Sequence, residues 1–302
     1  MSEPIRVADA VRAAVAADEP VVALESTIFT HGLTRPLNVE VALDAEQRLR
    51  DSGVLPATIG VLDGTPIVGL SEQQIRTLGA EDSPAVKLGV RDLPLAMTEG
   101  LHGGTTVSAT ALLAHRAGIR VFATGGLGGV HRGASASFDE SADLLALASF
   151  PIVVVSAGVK SVLDVPATLE RLETLGVVVV GYRTSRFPAF YVRDSGCEVD
   201  GIDSPEQAAA LARARDALGL HAAVLVANPV AGSEQIDPAL HDRVLAEAEK
   251  EAAEVGVRGK ALTPFLLGHM HRATDGRTLD TNVAVYRGNV AVAADIARAL
   301  AR

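Results

Sequence analysis

Short runs of Val, Ile, Leu and Ala alternate along this chain with longer segments in which apolar residues recur at the helical period. Six of the short runs are apolar almost throughout, which is typical of strands buried on both faces of a sheet. The predicted strands are residues 21–24, 58–62, 121–124, 152–155, 177–180 and 223–226. Because helices must then cover both faces of the sheet, the pattern predicts a three-layer α/β/α fold.

The longer segments carry the start and stop signals of helices. Asn38 is predicted to cap one helix. Ser204, which is followed by proline, is predicted to cap another, with Gly219 at the glycine position after its end. The predicted helices are residues 38–50, the segment between Ser204 and Gly219, and residues 238–254 and 289–301.

The composition suits one compact domain over residues 1–302. Hydrophobic residues make up 48% of the chain, which is enough for a large core, and no repeat, low-complexity tract or linker interrupts it. Aromatic residues contribute only 3%, and tryptophan is absent. The core must therefore be built mainly from aliphatic side chains.

Charge and cysteine content limit the possible partners and compartments. A net charge of −10 argues against nucleic acid as a partner, since phosphate neutralisation needs a basic surface. Cys197 is the one cysteine, so we expect no disulfide within the chain. No apolar run approaches the roughly 20 residues that span a bilayer, and residues 1–6 do not resemble a signal peptide. We expect a cytoplasmic protein without a membrane partner.

Polar and reactive side chains recur where the predicted strands end. Glu25 follows the first strand, a glycine-rich turn with His131 follows the third, Lys160 comes soon after the fourth, and Asn228 follows the sixth. In open α/β sheets, ligands bind beyond the carboxyl ends of the strands. This clustering predicts an active site more strongly than any one of these residues does.

Lys160 and Glu25 are the candidate catalytic pair. Burial of an ammonium favours the neutral amine, which can attack a carbonyl carbon, so Lys160 could be a Schiff-base nucleophile. Partial burial would raise the pKa of Glu25 and suit it to general acid catalysis. The simpler alternatives are a lysine that extends along the surface to water and a carboxylate that pairs with arginine or caps a helix.

Two glycine-rich turns could bind parts of a ligand. In residues 124–129, four glycines would let backbone N–H groups approach a phosphate, with Thr124 and His131 as further donors. No Gly-Lys-Ser/Thr follows, so this is not a nucleotide P-loop. Residues 102–110 form a second turn that opens a helix. A flexible turn in the first case and ordinary capping groups in the second are the alternatives.

Residues 138–143 contain three carboxylates in an acidic segment. Such oxygen ligands suit Mg²⁺ or Mn²⁺, but an acidic helix start has the same spacing, and the sequence does not separate the two. Lys87 is a second lysine among apolar residues, and it could pair with a phosphate or lie on a surface strand.

Taken together, these segments resemble the pseudouridine-5′-phosphate glycosidase family, whose members are indigoidine synthase A-like. Each matching stretch is short, but they fall in order across nearly the whole chain, which makes the set specific. The stretches are residues 23–28, 30–32, 103–107, 124–133, 138–144, 155–160, 263–265 and 281–284.

The resemblance implies an activity and an assembly. The implied reaction is the reversible conversion of pseudouridine 5′-phosphate and water into uracil and ribose 5-phosphate, through ring opening and a lysine Schiff base. The implied fold is α/β/α with a mixed central sheet. The implied cofactor is one Mn²⁺ per subunit, and the implied assembly is a homotrimer.

The resemblance also assigns roles to residues of this chain. Lys160 matches the nucleophile, Glu25 the proton donor and Asp139 the Mn²⁺ ligand. Thr124 and His131 resemble phosphate contacts, and Asn282 resembles an active-site asparagine. The remaining substrate-binding positions are Lys87, Val107 through its backbone, Ser141, Ala142 and Asp143.

Two other functions share part of this pattern. An aldolase-type lyase that acts on a sugar phosphate would also use Lys160 and a phosphate turn, but it would not release uracil. A non-catalytic sugar-phosphate sensor would not need both Glu25 and Lys160, so their joint presence counts against it. A sugar kinase lacks support, since no nucleoside triphosphate motif is found.

Overall fold

A computed structural model of the protein describes residues 4–257 and 262–301. The first three residues of the N-terminal segment, for which the sequence predicts no targeting signal, lie outside the described residues. No helix within the described ranges is both long and apolar enough to cross a membrane.

Eleven strands form one mixed sheet in the described part of the chain. In chain order they are β1 (Arg6–Val7), β2 (Val21–Glu25), β3 (Leu55–Leu62), β4 (Thr65–Val68), β5 (Val86–Leu88), β6 (Gly103–Thr105), β7 (Val121–Ala123), β8 (Val153–Ser156), β9 (Val178–Tyr182), β10 (Asp200–Ile202) and β11 (Val224–Ala227). The order across the sheet is β1-β4-β3-β2-β7-β8-β11-β9-β10, and β6 pairs with both β3 and β5.

The strands are parallel except where β3 pairs with β4 and β6. All six predicted strands are confirmed. Apart from the start of β9, where Val178 is exposed, both faces of these strands are buried. In β2, Val22 and Leu24 pack into one hydrophobic core while Val21 and Ala23 pack into the other. This double burial is the physical reason for their continuous apolar runs.

Thirteen α-helices and the 3₁₀ turn Val90–Asp92 connect the strands within the described ranges. The helices are α1 (Asp9–Ala16), α2 (Thr27–His31), α3 (Leu37–Asp51), α4 (Glu72–Gly79), α5 (Leu93–Glu99), α6 (Val107–Arg116), α7 (Ala134–Ser137), α8 (Ala142–Ser149), α9 (Val165–Thr174), α10 (Pro205–Ala217), α11 (Pro238–Val255), α12 (Leu262–Ala273) and α13 (Arg277–Leu300).

The helices form a layer on each face of the sheet. Buried residues of α1, α6, α8, α9 and α11 belong to one core, and those of α3, α4, α10 and α13 belong to the other. The predicted three-layer α/β/α architecture is therefore confirmed, and so is the mixed sheet that the resemblance implied.

Two of the predicted helix starts are wrong. Asn38 lies inside α3 rather than at its cap, and its buried amide donates to the carbonyls of Phe29 and Gly79 at 2.8 and 2.9 Å. These two tertiary hydrogen bonds explain why the sequence has a polar residue at a position that resembles a helix cap. The last helix begins at Arg277 and not at Asn289. The prediction placed its start too late because polar residues interrupt the apolar pattern of its first half.

The other two predicted helices are confirmed. Ser204 caps α10 by accepting the amide hydrogen of Gln207 at 3.3 Å, and Gly219 adopts a left-handed φ of +68° after the helix. The other of the two, α11, ends one residue beyond the predicted boundary and is followed by Gly256 in the left-handed region.

Candidate active site

The candidate site lies where the chain connections diverge across the sheet. β2 and β7 are neighbours, β2 is followed by β3 on one side, and β7 is followed by β8 on the other. A crevice opens beyond the carboxyl ends of two strands at such a switch point. Glu25 ends β2, and Thr124 directly follows β7.

Glu25 is a buried carboxylic acid at this switch point, with 6% of the residue exposed. Its side chain accepts a hydrogen bond from the Thr124 hydroxyl. Burial raises the pKa of Glu25 above its ordinary value, and the nearby Asp143 raises it further. Lys160, Thr124 and Lys87 act in the opposite direction. The predicted increase in the pKa of Glu25 is therefore confirmed, with desolvation as its main cause.

Lys160 reaches this site from the loop after β8. The backbone turns at Gly158, where φ is +77° and a Cβ would lie only 2.1 Å from the carbonyl oxygen of Pro188. Glycine is therefore required at this turn. Lys160 is half-buried, and its charge acts on Glu25. The structure thus brings the two predicted catalytic residues together.

The Lys160 loop and the glycine-rich loop continue the β7–β8 pairing beyond the strands. Ala157 donates its backbone N–H to Gly125 at 2.9 Å, and Leu127 donates to Gly158 at 3.0 Å. Lys160 in turn donates its backbone N–H to Leu127 at 3.0 Å. These hydrogen bonds fix the nucleophile candidate against the glycine loop.

The glycine-rich loop is closely packed and is not a loose turn. A Cβ on Gly126 would approach the ring of Phe190 to 2.6 Å, and one on Gly129 would meet the hydroxyl of Thr168 at 2.5 Å. The N–H of Gly128 is taken by Asp143 at 2.8 Å. Its glycines therefore allow close approach of the protein's own side chains. Phosphate binding through this loop stays a prediction.

Asp143 joins the glycine loop to the start of α6. One carboxylate oxygen accepts the N–H of Ser108 at 3.0 Å, and the other accepts that of Gly128 at 2.8 Å. Asp143 is buried, with 6% exposed. Both oxygens are thus engaged by backbone donors, which gives this predicted substrate-binding residue a clear part in holding the site together.

The other predicted binding positions of this region lie nearby. Ser141 caps α8 by accepting the N–H of Asp143 at 3.2 Å, and its own N–H donates to Gly129 at 2.9 Å. Ala142 is the exposed first residue of α8, and Val107 is the buried first residue of α6. Of the three carboxylates in residues 138–143, Asp143 lies in the first turn of α8, as the helix-start interpretation expects, while Asp139 and Glu140 precede the helix.

Lys87 approaches from the opposite side of the crevice. It lies in β5 beside Gly104, and the space that a Gly104 side chain would fill is taken by the hydroxyl of Thr30. Lys87 is exposed, and its charge acts on both Glu25 and His31. Desolvation together with Lys87 lowers the pKa of His31. The lysine therefore places a positive charge near the site, where it could pair with a phosphate or a carboxylate.

His131 and Asp139 lie together on the loop beyond the glycines. The N–H of His131 donates to the backbone carbonyl of Asp139 at 3.0 Å, and both residues are half-buried. Over residues 4–257 and 262–301, no three side chains of His, Cys, Asp and Glu converge in a metal cluster. A cation at Asp139 would therefore keep most of its water ligands, which Mg²⁺ and Mn²⁺ tolerate.

Helix α13 contributes two asparagines to the site. Asn282, which was predicted, has its amide oxygen 3.5 Å from where a Cβ of Gly125 would lie. Asn289, which sequence reasoning missed, is fully buried and donates to the carbonyls of Thr124 and Gly125. The two are seven residues apart, so they share a helix face. That spacing of polar residues in an apolar helix was the available signal.

Ser26 is a second residue to which the sequence reasoning gave no role. It directly follows Glu25 and is fully buried, and its hydroxyl accepts the N–H of Thr105 at 2.8 Å. Through this bond the end of β2 is tied to the end of β6. The glycines of residues 103–104 thus lie in a strand and not in a turn, which corrects the prediction of a turn there.

The arrangement can combine acid catalysis with attack by an amine. A carboxyl group whose pKa is raised by burial holds a proton that it can give to a leaving oxygen. A lysine whose charge acts on that group lies across the glycine loop. The surrounding lysine, hydroxyl and amide groups are suited to a phosphorylated polar substrate.

A family model described as "Indigoidine synthase A like protein" matches residues 10–299. The chain belongs to the indigoidine synthase A-like family. Relatives of this chain cover nearly the same length. A pseudouridine-5′-phosphate glycosidase of Saccharopolyspora erythraea is 62% identical over 96% of both chains. One from Caldanaerobacter subterraneus is 45% identical over 98% of this chain and 97% of its own.

Solved structures within the family agree with the fold. The prealnumycin C-glycosynthase AlnA in complex with ribulose 5-phosphate superposes with a TM-score of 0.91 at 36% identity, over 98% of this chain and 97% of AlnA. An indigoidine synthase A-like protein from Thermotoga maritima has a TM-score of 0.90 at 38% identity, over 100% and 99% of the two chains.

Proposed function

We propose that this protein is an enzyme that reversibly cleaves the C–C glycosidic bond of pseudouridine 5′-phosphate to give uracil and ribose 5-phosphate. Relatives at 45–62% identity over nearly the whole chain bear the name pseudouridine-5′-phosphate glycosidase. The single structural observation that carries the proposal is the placement of buried Glu25 and half-buried Lys160 within electrostatic range of each other at the switch point. A sugar-phosphate substrate is further supported by AlnA, whose solved complex contains ribulose 5-phosphate.

The chemistry starts from the difficulty of breaking a C–C bond. Uracil leaves through carbon, so protonation of a leaving oxygen cannot free it. Glu25 protonates the ribose ring oxygen, the bond from that oxygen to C1′ breaks, and the neutral amine of Lys160 bonds to C1′. The acid must hold its proton before the step, and burial at the end of β2 favours the protonated form.

The ammonium nitrogen formed by this addition returns a proton to the Glu25 carboxylate, which frees the nitrogen lone pair. The C1′–uracil bond then breaks as that lone pair forms an iminium with C1′ and the bonding electron pair passes to uracil. The uracil carbon takes up a proton, and water hydrolyses the iminium. These steps release ribose 5-phosphate and restore the amine of Lys160, so atoms and charge balance. In the reverse direction, the same iminium accepts the uracil carbon.

The remaining predicted residues would bind the substrate around this pair. Lys87 supplies positive charge for the phosphate or for a developing anion, and the amide oxygen of Asn282 lies beside Gly125 of the glycine loop. Thr124 acts first on Glu25, since its hydroxyl donates to that carboxylate. Its role as a phosphate contact, together with that of His131, stays a prediction. Val107, Ser141, Ala142 and Asp143 complete the proposed set.

Asp139 would hold one Mn²⁺ per subunit, together with water. A half-buried single carboxylate suits a hard cation that retains its hydration. When bound, such a cation would supply positive charge toward a phosphorylated substrate. Asp139 itself is held in place by the bond from His131 to its backbone carbonyl.

Assembly as a homotrimer and location in the cytoplasm are parts of the proposal that rest on the family resemblance and on composition. The single cysteine supports a reducing compartment. Sedimentation equilibrium of the purified protein would measure the trimer directly.

The test is release of uracil from pseudouridine 5′-phosphate by the purified protein, followed by chromatography of both products. We expect uracil and ribose 5-phosphate in equal amounts, and pseudouridine 5′-phosphate when both products are supplied together. Cleavage of a sugar phosphate without any action on pseudouridine 5′-phosphate would support the aldolase-type alternative. Tight sugar-phosphate binding without turnover would support the sensor.

A further inference from the structure

Two hydrogen-bonded asparagines lie beneath the start of the glycine loop. Asn289 in α13 is fully buried, and its Nδ2 donates to the carbonyl oxygens of Thr124 at 2.7 Å and Gly125 at 3.1 Å. Its Oδ1 accepts a hydrogen bond of 3.0 Å from Nδ2 of Asn228 at the end of β11. Both donors and the acceptor of the Asn289 amide are thus engaged.

Asn228 is itself fixed to the sheet. Its backbone N–H donates to the carbonyl of Ser156 at 2.8 Å, and Ser156 is the last residue of β8. The Nδ2 of Asn228 can donate only to an acceptor, so Oδ1 of Asn289 must face it. The Nδ2 of Asn289 then points toward the glycine loop. The pair therefore links the ends of β7, β8 and β11.

Thr124 connects the two asparagines to Glu25. Its carbonyl is held by Asn289, its N–H donates to Val155 at 3.0 Å, and its hydroxyl donates to the carboxylate of Glu25. Thr124 is fully buried, so its side chain has no water to replace a lost partner. The position of its backbone decides whether the hydroxyl reaches Glu25.

We propose that Asn289, with its amide oriented by Asn228, is the positioning residue for Glu25. It holds the backbone of Thr124 so that the Thr124 hydroxyl stays on the carboxylate. The inference rests on the proposed function in one respect, because it takes Glu25 to be the proton donor. Asn289 touches neither the substrate nor the acid, and its effect passes through Thr124.

The charged and titratable groups that face Glu25 come from four elements. They are Lys160 on the loop after β8, Asp143 in α8, Lys87 in β5, and Tyr286 in α13, whose own pKa is raised by burial and by Glu25. None of these groups is bonded to Asn289 in the described structure. Loss of the asparagine should therefore change the pKa of the acid through the threonine hydroxyl and leave the three charges and the tyrosine in place.

The test compares Thr124→Val, Asn289→Leu and the double variant by the pH dependence of kcat/KM for uracil release. The Thr124 hydrogen bond lowers the pKa of Glu25, so its loss raises that pKa. An acid works only while protonated, and the alkaline limb of the profile should move to higher pH in Thr124→Val. We expect Asn289→Leu to move the limb in the same direction and lower kcat about 10- to 100-fold. The double variant should shift the limb no further than Thr124→Val does.

Asn38 provides a matched control. It is as deeply buried as Asn289, and its amide likewise donates to two backbone carbonyls. Asn38→Leu should lower the melting temperature and leave the alkaline limb where it is. Should Asn289→Leu fail to fold, Asn228→Ala removes only the orienting donor, and we expect a smaller shift of the limb in the same direction.

A lower melting temperature of Asn289→Leu with an unmoved limb would overturn the inference, and so would a double variant whose shift is the sum of both. Titration of the Glu25 carboxyl by NMR with ¹³C-labelled glutamate, assigned with Glu25→Gln, reads the same effect without turnover. A wild type that releases no uracil would therefore refute the proposed function, while the NMR shift would still decide the role of Asn289.

Discussion

At the scale of single residues, the proposed reaction depends on a carboxylic acid that keeps its proton to a higher pH than an ordinary glutamate does. Glu25 achieves this by burial at the end of a strand whose other residues are apolar. Desolvation outweighs the lysine charges and the Thr124 hydrogen bond that favour the carboxylate. This balance makes the stability of the fold depend on the protonation of one side chain.

The raised pKa predicts how stability varies with pH. Above the ordinary pKa of glutamate, 4.5, the unfolded chain releases the proton while folded Glu25 retains it, so stability falls as pH rises toward the folded pKa. Glu25→Gln removes this dependence. We expect the melting temperature of Glu25→Gln, relative to wild type, to be higher at pH 7 than at pH 4. A difference that stays constant between these pH values would contradict the burial of an ionisable acid.

Asp143 and Thr124 act on the same acid in opposite directions. The charge of Asp143 raises the pKa of Glu25, so Asp143→Asn should move the alkaline limb of kcat/KM to lower pH. It should also lower kcat about tenfold or more, since an amide cannot accept from both the Ser108 and Gly128 N–H groups. Asp237→Asn, which alters a carboxylate that caps α11 away from the site, is the control and should leave the limb unmoved. An upward shift in Asp143→Asn would refute this account.

At the scale of elements, the loops after β7 and β8 place the reactive groups. Their mutual hydrogen bonds extend the sheet pairing beyond the strands, so Lys160 is held by backbone geometry. Gly158 makes this possible, because it turns the chain with a positive φ against the carbonyl of Pro188. The reactivity of the lysine therefore depends on one glycine.

Substitution of that glycine has a matched control. Gly176 has a similar φ of +71°, but no atom lies within 4 Å of the position that a Cβ would take there, so Gly176→Ala should cost about 1–2 kcal/mol from backbone strain alone. Gly158→Ala adds a backbone clash and should cost about 3 kcal/mol or more. We expect urea unfolding to show this difference and turnover to fall in Gly158→Ala only. Equal losses in the two variants would show that the Pro188 contact is unimportant.

The element scale also shows how far sequence reasoning reaches. The six doubly buried strands were predictable because their apolar runs are unbroken, and the helix capped by Ser204 was predictable from local hydrogen bonding. The first half of α13 was not, because Asn282 and Asn289 face the site and break its apolar stripe. Asn38 misled for a related reason, since its amide serves tertiary contacts and not a cap.

The site itself was predicted more fully than the short strands β5 and β6. Glu25, Lys160 and Thr124 lie at or after the ends of predicted strands, and the structure adds the strand order β2-β7-β8 that brings them together. The neighbourhood of Lys87 depends on β5 and β6, which are three residues each and carry no sequence periodicity. The contacts of Asp143 with two separate loops are likewise tertiary, and no local pattern encodes them.

At the scale of the whole molecule, the sheet separates two hydrophobic cores, and the site lies at the end of the sheet between them. It lies beyond the carboxyl ends of the central strands β2 and β7, where the strand connections diverge. Substrate groups can therefore reach the site while Glu25 remains buried. Helices on both faces of the sheet hold the site residues in place. On one face α6 and α8 do so through Asp143, and on the other α13 does so through Asn289.

Metal dependence is a prediction at this scale. Asp139 lies on a loop that is separate from the catalytic pair, so loss of a cation should lower activity without unfolding the protein. We expect excess chelator to abolish uracil release, Mn²⁺ to restore it, and the melting temperature to change little. Asp139→Ala should behave like the chelated enzyme and resist rescue. Full activity of the wild type in excess chelator would remove the metal from the mechanism.

The most direct test of the central claim is to trap the covalent intermediate. The protein is incubated with ribose 5-phosphate and borohydride, digested, and mapped by mass spectrometry, with Lys160→Ala as the control. The account predicts one added sugar phosphate, linked as a reduced imine at Lys160, and none in the folded but inactive Lys160→Ala variant. An adduct at Lys87 instead, or no adduct from an enzyme that releases uracil, would contradict the assignment of Lys160 as the nucleophile.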